Sequence, residues 1–223
     1  MSSHRLIPTR VPADPEGVVL VLHGGASRPD RPMVSPAQLS VLRMVPIAHR
    51  IARAGRGRLA VYRLLNSTRG WDTHHTPVDD VQWALRDLAC THGQLPTCLV
   101  GHSLGGRAAL LAAGTPPIRS AVALNPWMHR SDRADVTGRR LLVVHGTADR
   151  IASIERARAA AEMLARTADS VGFLTVEGAR HGMLRRGAVF ERAAAAFAVA
   201  TLLGEGVGDP VARLLSGRQQ LTV

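Results

Sequence analysis

The sequence predicts an α/β fold built on a mostly parallel, doubly wound sheet, and three observations carry that prediction. Continuous apolar runs of strand length alternate with stretches of helical periodicity, the pattern of strands buried on both faces. One such run, Cys98-Leu99-Val100, leads into Gly101-His102-Ser103-Leu104-Gly105-Gly106 and then into the helical Arg107-Ala108-Ala109-Leu110-Leu111. Two later runs end in loops that carry an aspartate and a histidine. The sheet is expected to have roughly six or seven strands flanked by helices in a single domain, with residues 1–17 as an N-terminal extension and 204–223 as a C-terminal tail.

Taken in order, the elements justify themselves as follows. Arg5 to Val11 is a reduced leading β segment, and Val18-Val19-Leu20-Val21-Leu22 is the first buried strand, ending in His23-Gly24-Gly25. Leu39 to Ala54 reads as helix that Pro46 must kink or restart. Arg58 to Leu65 is the next strand. Thr76-Pro77 opens a helix, with Thr76 as N-cap, Asp79 and Asp80 answering the helix dipole, and Val78, Val81, Leu85 and Leu88 on one face. Ala121 to Leu124 precedes Asn125-Pro126-Trp127, and Leu141 to Val144 runs into His145-Gly146-Thr147-Ala148-Asp149. A helix from Ile154 to Ala165 buries Ile154, Ala157, Ala161 and Leu164. Val171 to Val176 is followed by Glu177-Gly178-Ala179-Arg180-His181-Gly182, and a last helix from about Ala188 carries Val189, Ala193 and Phe197.

Gly-x-Ser-x-Gly at a strand-to-helix junction is the nucleophile-elbow pattern. The bend is tight enough to strain the serine backbone and to demand small residues on either side. It lifts the Ser103 hydroxyl out of the sheet to a helix N-terminus, where backbone N–H groups favour negative charge. In parallel α/β sheets ligands bind at the carboxyl ends of the strands, so Ser103, Asp149 and His181 can meet at one edge. His-Gly-Gly after the first buried strand offers Gly25 as one oxyanion donor, with the N–H of Leu104 as the other.

These residues resemble the α/β-hydrolase superfamily, over a stretch from about Val18 to Phe197 with four motif-bearing loops in the expected order. The resemblance implies Ser103 as nucleophile, His181 as general base and Asp149 as the group that orients the imidazole. It points to small capless serine esterases and dienelactone-hydrolase-like proteins. Dienelactone hydrolases proper use cysteine at the elbow, so their substrate is not carried over; epoxide hydrolases and haloalkane dehalogenases use aspartate there. The expected activity is cleavage of small to medium acyl esters through an acyl-enzyme, the alternatives being thioesterase or small peptidase or amidase chemistry. A protein that keeps the fold but only binds is a reading of another class.

Only about fifteen residues separate Leu124 from Leu141, which leaves no room for the helical cap many such hydrolases insert there. A shallow open pocket is expected, with candidate walls in Ala26 to Pro36, in Asn66 to His75 through Trp71, in Trp127-Met128 and in Met183. Glu177 is a weaker candidate for the acid; His23, His102 and His145 are expected to pack and hydrogen-bond only.

The formal net charge is +11, yet all 28 basic residues are arginine, spread over almost every element, and aromatics make up 3%. That argues for compositional bias and against a nucleic-acid surface with stacking platforms. The start of the chain has no apolar core of signal-peptide length, and Ala193 to Leu203 is too short to span a bilayer, so a cytoplasmic protein with no membrane partner is expected. Cys90 and Cys98 lack metal-ligand spacing and are expected as buried thiols. No cofactor or metal is expected; the partner is a small-molecule ester or thioester, and the chain a monomer or homodimer.

Overall fold

The structure, a computed structural model, describes residues 4–25, 34–68, 70–71, 75–216 and 219–223. In chain order its elements are β1 (Arg5–Arg10), β2 (Gly17–Leu22), α1 (Leu39–Leu42), α2 (Met44–Ala54), β3 (Leu59–Leu65), α3 (Thr76–His92), β4 (Thr97–His102), α4 (Leu104–Ala112) and β5 (Ile118–Leu124). There follow β6 (Arg140–Gly146), α5 (Ile154–Leu164), β7 (Ser170–Val176), α6 (Gly187–Leu203), α7 (Val211–Leu215) and β8 (Gln220–Thr222). They form one eight-stranded sheet in the order β1-β3-β2-β4-β5-β6-β7-β8. Only β1 runs antiparallel, against β3; the other pairings are parallel.

Period-two alternation along each strand builds two cores. Val18, Leu20, Leu22, Leu99, Leu141 and Val143 face α3, α4 and α5. Val19, Val21, Val100, Leu142 and Val144 face α2, α6 and α7. Because both faces are covered, β2 and β4 are buried along their whole length, which is why they read as unbroken apolar runs. The chain steps outward from β2 to β3 and then back across β2 to β4. That reversal opens a crevice at the carboxyl ends of β2 and β4.

Several expectations are corrected. The sheet is wider than predicted by β8, a three-residue strand from the tail, which pairs with β7. The tail docks through Val211 and Leu214, both buried. Pro46 restarts the helix rather than kinking it, since α2 begins two residues before it, where its missing N–H costs no intrahelical bond. His75, not Thr76, stands at the N-cap of α3, in the left-handed region. Asp80 is buried rather than a surface acid: it accepts from the Ser67 N–H at 2.9 Å and faces His4 at 3.5 Å. Ile154 is half-buried, while Ala157, Ala161 and Leu164 are buried as predicted. Cys90 is exposed; only Cys98 is buried, and burial pushes its thiol up to about 12.

Candidate active site

The elbow is set by steric necessity. Ser103, between β4 and α4, has φ 56° and ψ −119°, a conformation L-residues rarely adopt. Its N–H donates to the Leu124 carbonyl at 3.0 Å, and its own carbonyl accepts from Trp127 and Arg107, each at 3.1 Å. The two glycines that flank it leave no space for a side chain. A Cβ on Gly101 would stand 2.0 Å from the Gly105 carbonyl oxygen, and one on Gly105 would stand 2.5 Å from the carbonyl oxygens of Leu22 and His23. The elbow therefore packs directly on the end of β2.

Three loops meet over it. His181 Nε2 lies 3.0 Å from Ser103 Oγ, and His181 Nδ1 lies 2.7 Å from Asp149 Oδ2. The Asp149 contact assigns the ring proton to Nδ1 and leaves Nε2 free to accept from the serine hydroxyl. The Asp149 side chain is fully buried and His181 nearly so. Burial raises the Asp149 pKa, but hydrogen bonds from His181 and from the Ala152 and Ile151 N–H groups outweigh it and hold the carboxyl below its ordinary value. Its Oδ1 accepts those two backbone bonds at 3.0 and 2.8 Å, so its own loop orients the carboxylate independently of the imidazole. The N-cap of α5 is Ser153, whose Oγ accepts from Arg156 N at 3.1 Å.

Asn125, to which the sequence analysis assigns no role, ties these loops together. It is fully buried and sits at φ 43°, where asparagine is tolerated. Its N–H donates to Val144 O at 2.8 Å, and its Oδ1 accepts from Gly146 N at 2.9 Å. The side chain thus substitutes for the next backbone carbonyl of β5, and the main chain can turn away while β6 runs on. Its Nδ2 donates to the carbonyls of Arg180 at 3.3 Å and His181 at 3.1 Å. His102 donates from Nε2 to the same His181 carbonyl at 2.9 Å. Burial, reinforced by His181 and Arg43 nearby, pushes the His102 pKa down to about 3, so the ring is neutral. A neighbouring constellation was equally illegible. Arg107 makes a buried fork to Asp132, Nε to Oδ2 at 2.9 Å and Nη2 to Oδ1 at 2.6 Å. Its guanidinium stacks 3.9 Å from the Trp71 ring and 5.8 Å from Trp127.

A cavity of about 250 Å³ opens over Ser103 and His181, walled by Gly24, Gly25, Leu104, Trp127 and Ile151 among others. A Cβ on Gly24 would stand 3.2 Å from Ser103 Cβ, so the His23-Gly24-Gly25 backbone passes beside the serine. Leu104 begins α4 and its N–H has no intrahelical acceptor. Trp127 occupies the wall as expected; Trp71 stands behind it on Arg107, outside that lining. Met183 is absent from this cavity's lining; it is buried and borders a separate recess. The turn at φ 56° carries it away from the imidazole into the cluster beneath α6. Met128 is likewise core. Residues 26–33, 69 and 72–74 of the two expected loop walls lie outside the described residues. Among the described residues no group of three or more His, Cys, Asp or Glu could hold a metal ion. Among them also, no helix is long and apolar enough to cross a membrane.

A strained serine on a β-to-α bend, at the switch point of a doubly wound sheet with no cap between β5 and β6, defines the fold of the α/β hydrolases. Comparison with solved structures agrees. The chain is similar to an α/β serine hydrolase without a lid from Xanthomonas campestris, with 19% identity over 88% of each chain and a TM-score of 0.66. It is similar to Est1E from Butyrivibrio proteoclasticus, solved with ferulic acid bound, with 15% identity over 90% of this chain and 96% of that one and a TM-score of 0.64. It also resembles a puromycin-hydrolysing peptidase of Mycobacterium tuberculosis, with 20% identity over 92% of this chain but 38% of the peptidase and a TM-score of 0.66. At these identities the likeness is one of fold. No protein-family model matches the chain, and no curated protein matches it in sequence.

Proposed function

We propose that this protein is a serine hydrolase that cleaves small to medium acyl esters. The observation that carries the reading is the unbroken relay Ser103 Oγ–His181 Nε2 at 3.0 Å and His181 Nδ1–Asp149 Oδ2 at 2.7 Å, open to a cavity. His181 Nε2 takes the hydroxyl proton as Ser103 Oγ bonds to the carbonyl carbon. The carbonyl oxygen becomes an oxyanion held by the N–H groups of Gly25 and Leu104; one such donor is typically worth about 3 kcal/mol. His181 then protonates the alcohol oxygen as the C–O bond breaks, leaving an acyl-Ser103. Water, deprotonated by His181, attacks that acyl carbon, and Ser103 leaves with the proton. Asp149 fixes the imidazole tautomer and stabilises its charged form.

The same steps serve a thioester or an amide with sulfur or nitrogen as the leaving atom, and the peptidase among the structural neighbours keeps the amide in view. Esters are favoured because the small cavity is open and lacks a cap to enclose a carrier-bound chain. The test pairs p-nitrophenyl acetate hydrolysis with labelling by a fluorophosphonate probe. The wild type is expected to do both, and Ser103→Ala to do neither while melting within a few degrees of the wild type. A Ser103→Ala variant that turns over the ester at the wild-type rate would refute the assignment. Well-folded wild type that neither labels nor hydrolyses would make this a binding protein.

A further inference from the structure

Beside the serine cavity lies a second recess of about 430 Å³, formed between α1–α2 and the segment 182–191. Its walls are mostly apolar: Leu39, Ile47, Met183, Leu184 and Phe190. Among the described residues, Arg43 is the one residue that lines both spaces. The surface marks this region out. The three most exposed large apolar side chains described, Leu184 at 88%, Leu39 at 75% and Ile151 at 67%, all stand on the linings of these two spaces. An apolar rim of this kind, continuous with a reaction site, is what an aliphatic chain would cover.

Arg43 also lacks a partner for its charge among the described residues. Among the described residues no carboxylate stands within ion-pairing distance of it, and its Nε is buried with no hydrogen-bond partner. Its Nη2 lies 3.4 Å from where a Cβ on Gly182 would stand, against the loop that bears His181. A guanidinium so placed stands between the serine cavity and the apolar recess. A chain crossing it must displace the head group or strip water from it, and burying a charge without a partner is costly.

We propose that Arg43 is the specificity-determining partition of this site. With its side chain in place the acyl group is confined to the serine cavity, which restricts the substrate class to esters of short-chain acids. The recess lined by Leu39, Ile47 and Phe190 is a preformed chain subsite that joins the cavity once the partition is withdrawn. This inference rests on the hydrolase reading only for its kinetic arm.

The experiment has two arms on full-length protein. The first compares kcat/KM for p-nitrophenyl acetate and decanoate. Wild type is expected to favour acetate, Arg43→Ala to raise the decanoate-to-acetate ratio about tenfold or more, and Arg43→Lys to stay near the wild-type ratio. An unchanged ratio in Arg43→Ala, or a wild type that already favours decanoate, overturns the proposal. The second arm needs no turnover: calorimetric binding of decanamide, a neutral amide, to Ser103→Ala with and without Arg43→Ala. Binding about tenfold tighter after the Arg43 change is expected, and equal binding overturns the partition. Should Arg43→Ala fail to fold, Arg43→Met is read in the same two ways. If neither protein cleaves any ester, the hydrolase reading falls and the decanamide result still decides this one.

Discussion

Replacing Asn125 by alanine should damage this protein twice over. The substitution leaves the Gly146 N–H in the interior without its acceptor at 2.9 Å and strips donors from the carbonyls of Arg180 and His181. A buried donor left unpaired costs about 1–3 kcal/mol, and the two carbonyls lose less because His181 O keeps its bond from His102. Alanine is also less at ease than asparagine at φ 43°. The sum is about 2–4 kcal/mol, which for a chain of this size lowers Tm by on the order of 10 °C. The second effect is on rate. The His181 backbone would lose one of two side-chain anchors, and a misplacement of about 1 Å in a catalytic group costs on the order of a hundredfold. Circular dichroism melting and burst kinetics with p-nitrophenyl acetate read the two effects apart: kcat should fall about a hundredfold with KM little changed, at a temperature where the variant is folded. Asn125→Asp, nearly isosteric, keeps the acceptor for Gly146 but turns a carboxylate oxygen toward two carbonyls, so it should lose more rate at neutral pH than its Tm loss suggests. If Asn125→Ala melts within a degree of the wild type and keeps its kcat, the bridging role assigned to this side chain is wrong.

Other consequences can be checked as directly. Gly105→Ala drives a methyl to 2.5 Å from the carbonyl oxygens of Leu22 and His23, so urea unfolding should show a loss of about 3 kcal/mol or more. In Gly187→Ala the new methyl meets only Glu191 Oε1 at 3.9 Å, and stability should hold within about 0.5 kcal/mol. Asp132→Asn strands the Arg107 guanidinium, 7% exposed, and should cost about 3–5 kcal/mol by the same assay while loosening the Trp71 and Trp127 stack. Burial lowers the pKa of His23, His102 and His145 in the folded state, so the unfolded chain binds more protons below its ordinary histidine value of 6.5. Their contribution is fully present above pH 6.5 and is lost as pH falls through each folded value, which for His102 is about 3. Each histidine contributes a slope of up to about 1.4 kcal/mol per pH unit. Denaturant midpoints from pH 8 to 4 should decline below 6.5, and His102→Gln should make the decline shallower.

The fold and the proposed triad are legible because each is written locally. Ser103, Asp149 and His181 all follow apolar runs that can only be buried strands, so the order of the runs puts them on one sheet edge. What escaped depends on contacts across the chain. Asn125 before Pro126 looks like any turn, because its three side-chain partners lie 21 to 56 residues away. Arg107 and Asp132 resemble surface charges until the fold buries both. β8 is three residues long, too short to show a period, and exists because β7 offers an open edge. Met183 borders the second recess and not the serine cavity, because sequence adjacency to His181 says nothing of a turn that reverses the side chain.

The brevity of the connection from Asn125 to Arg139 bears on kinetics as well as shape. Among the described residues no hinged flap covers Ser103, and a hydrolase built that way has no opening step to wait for. Product formation should start without a lag, and velocity should saturate smoothly as a soluble ester is raised through its solubility limit. Droplets and micelles would then act only as reservoirs, not as triggers.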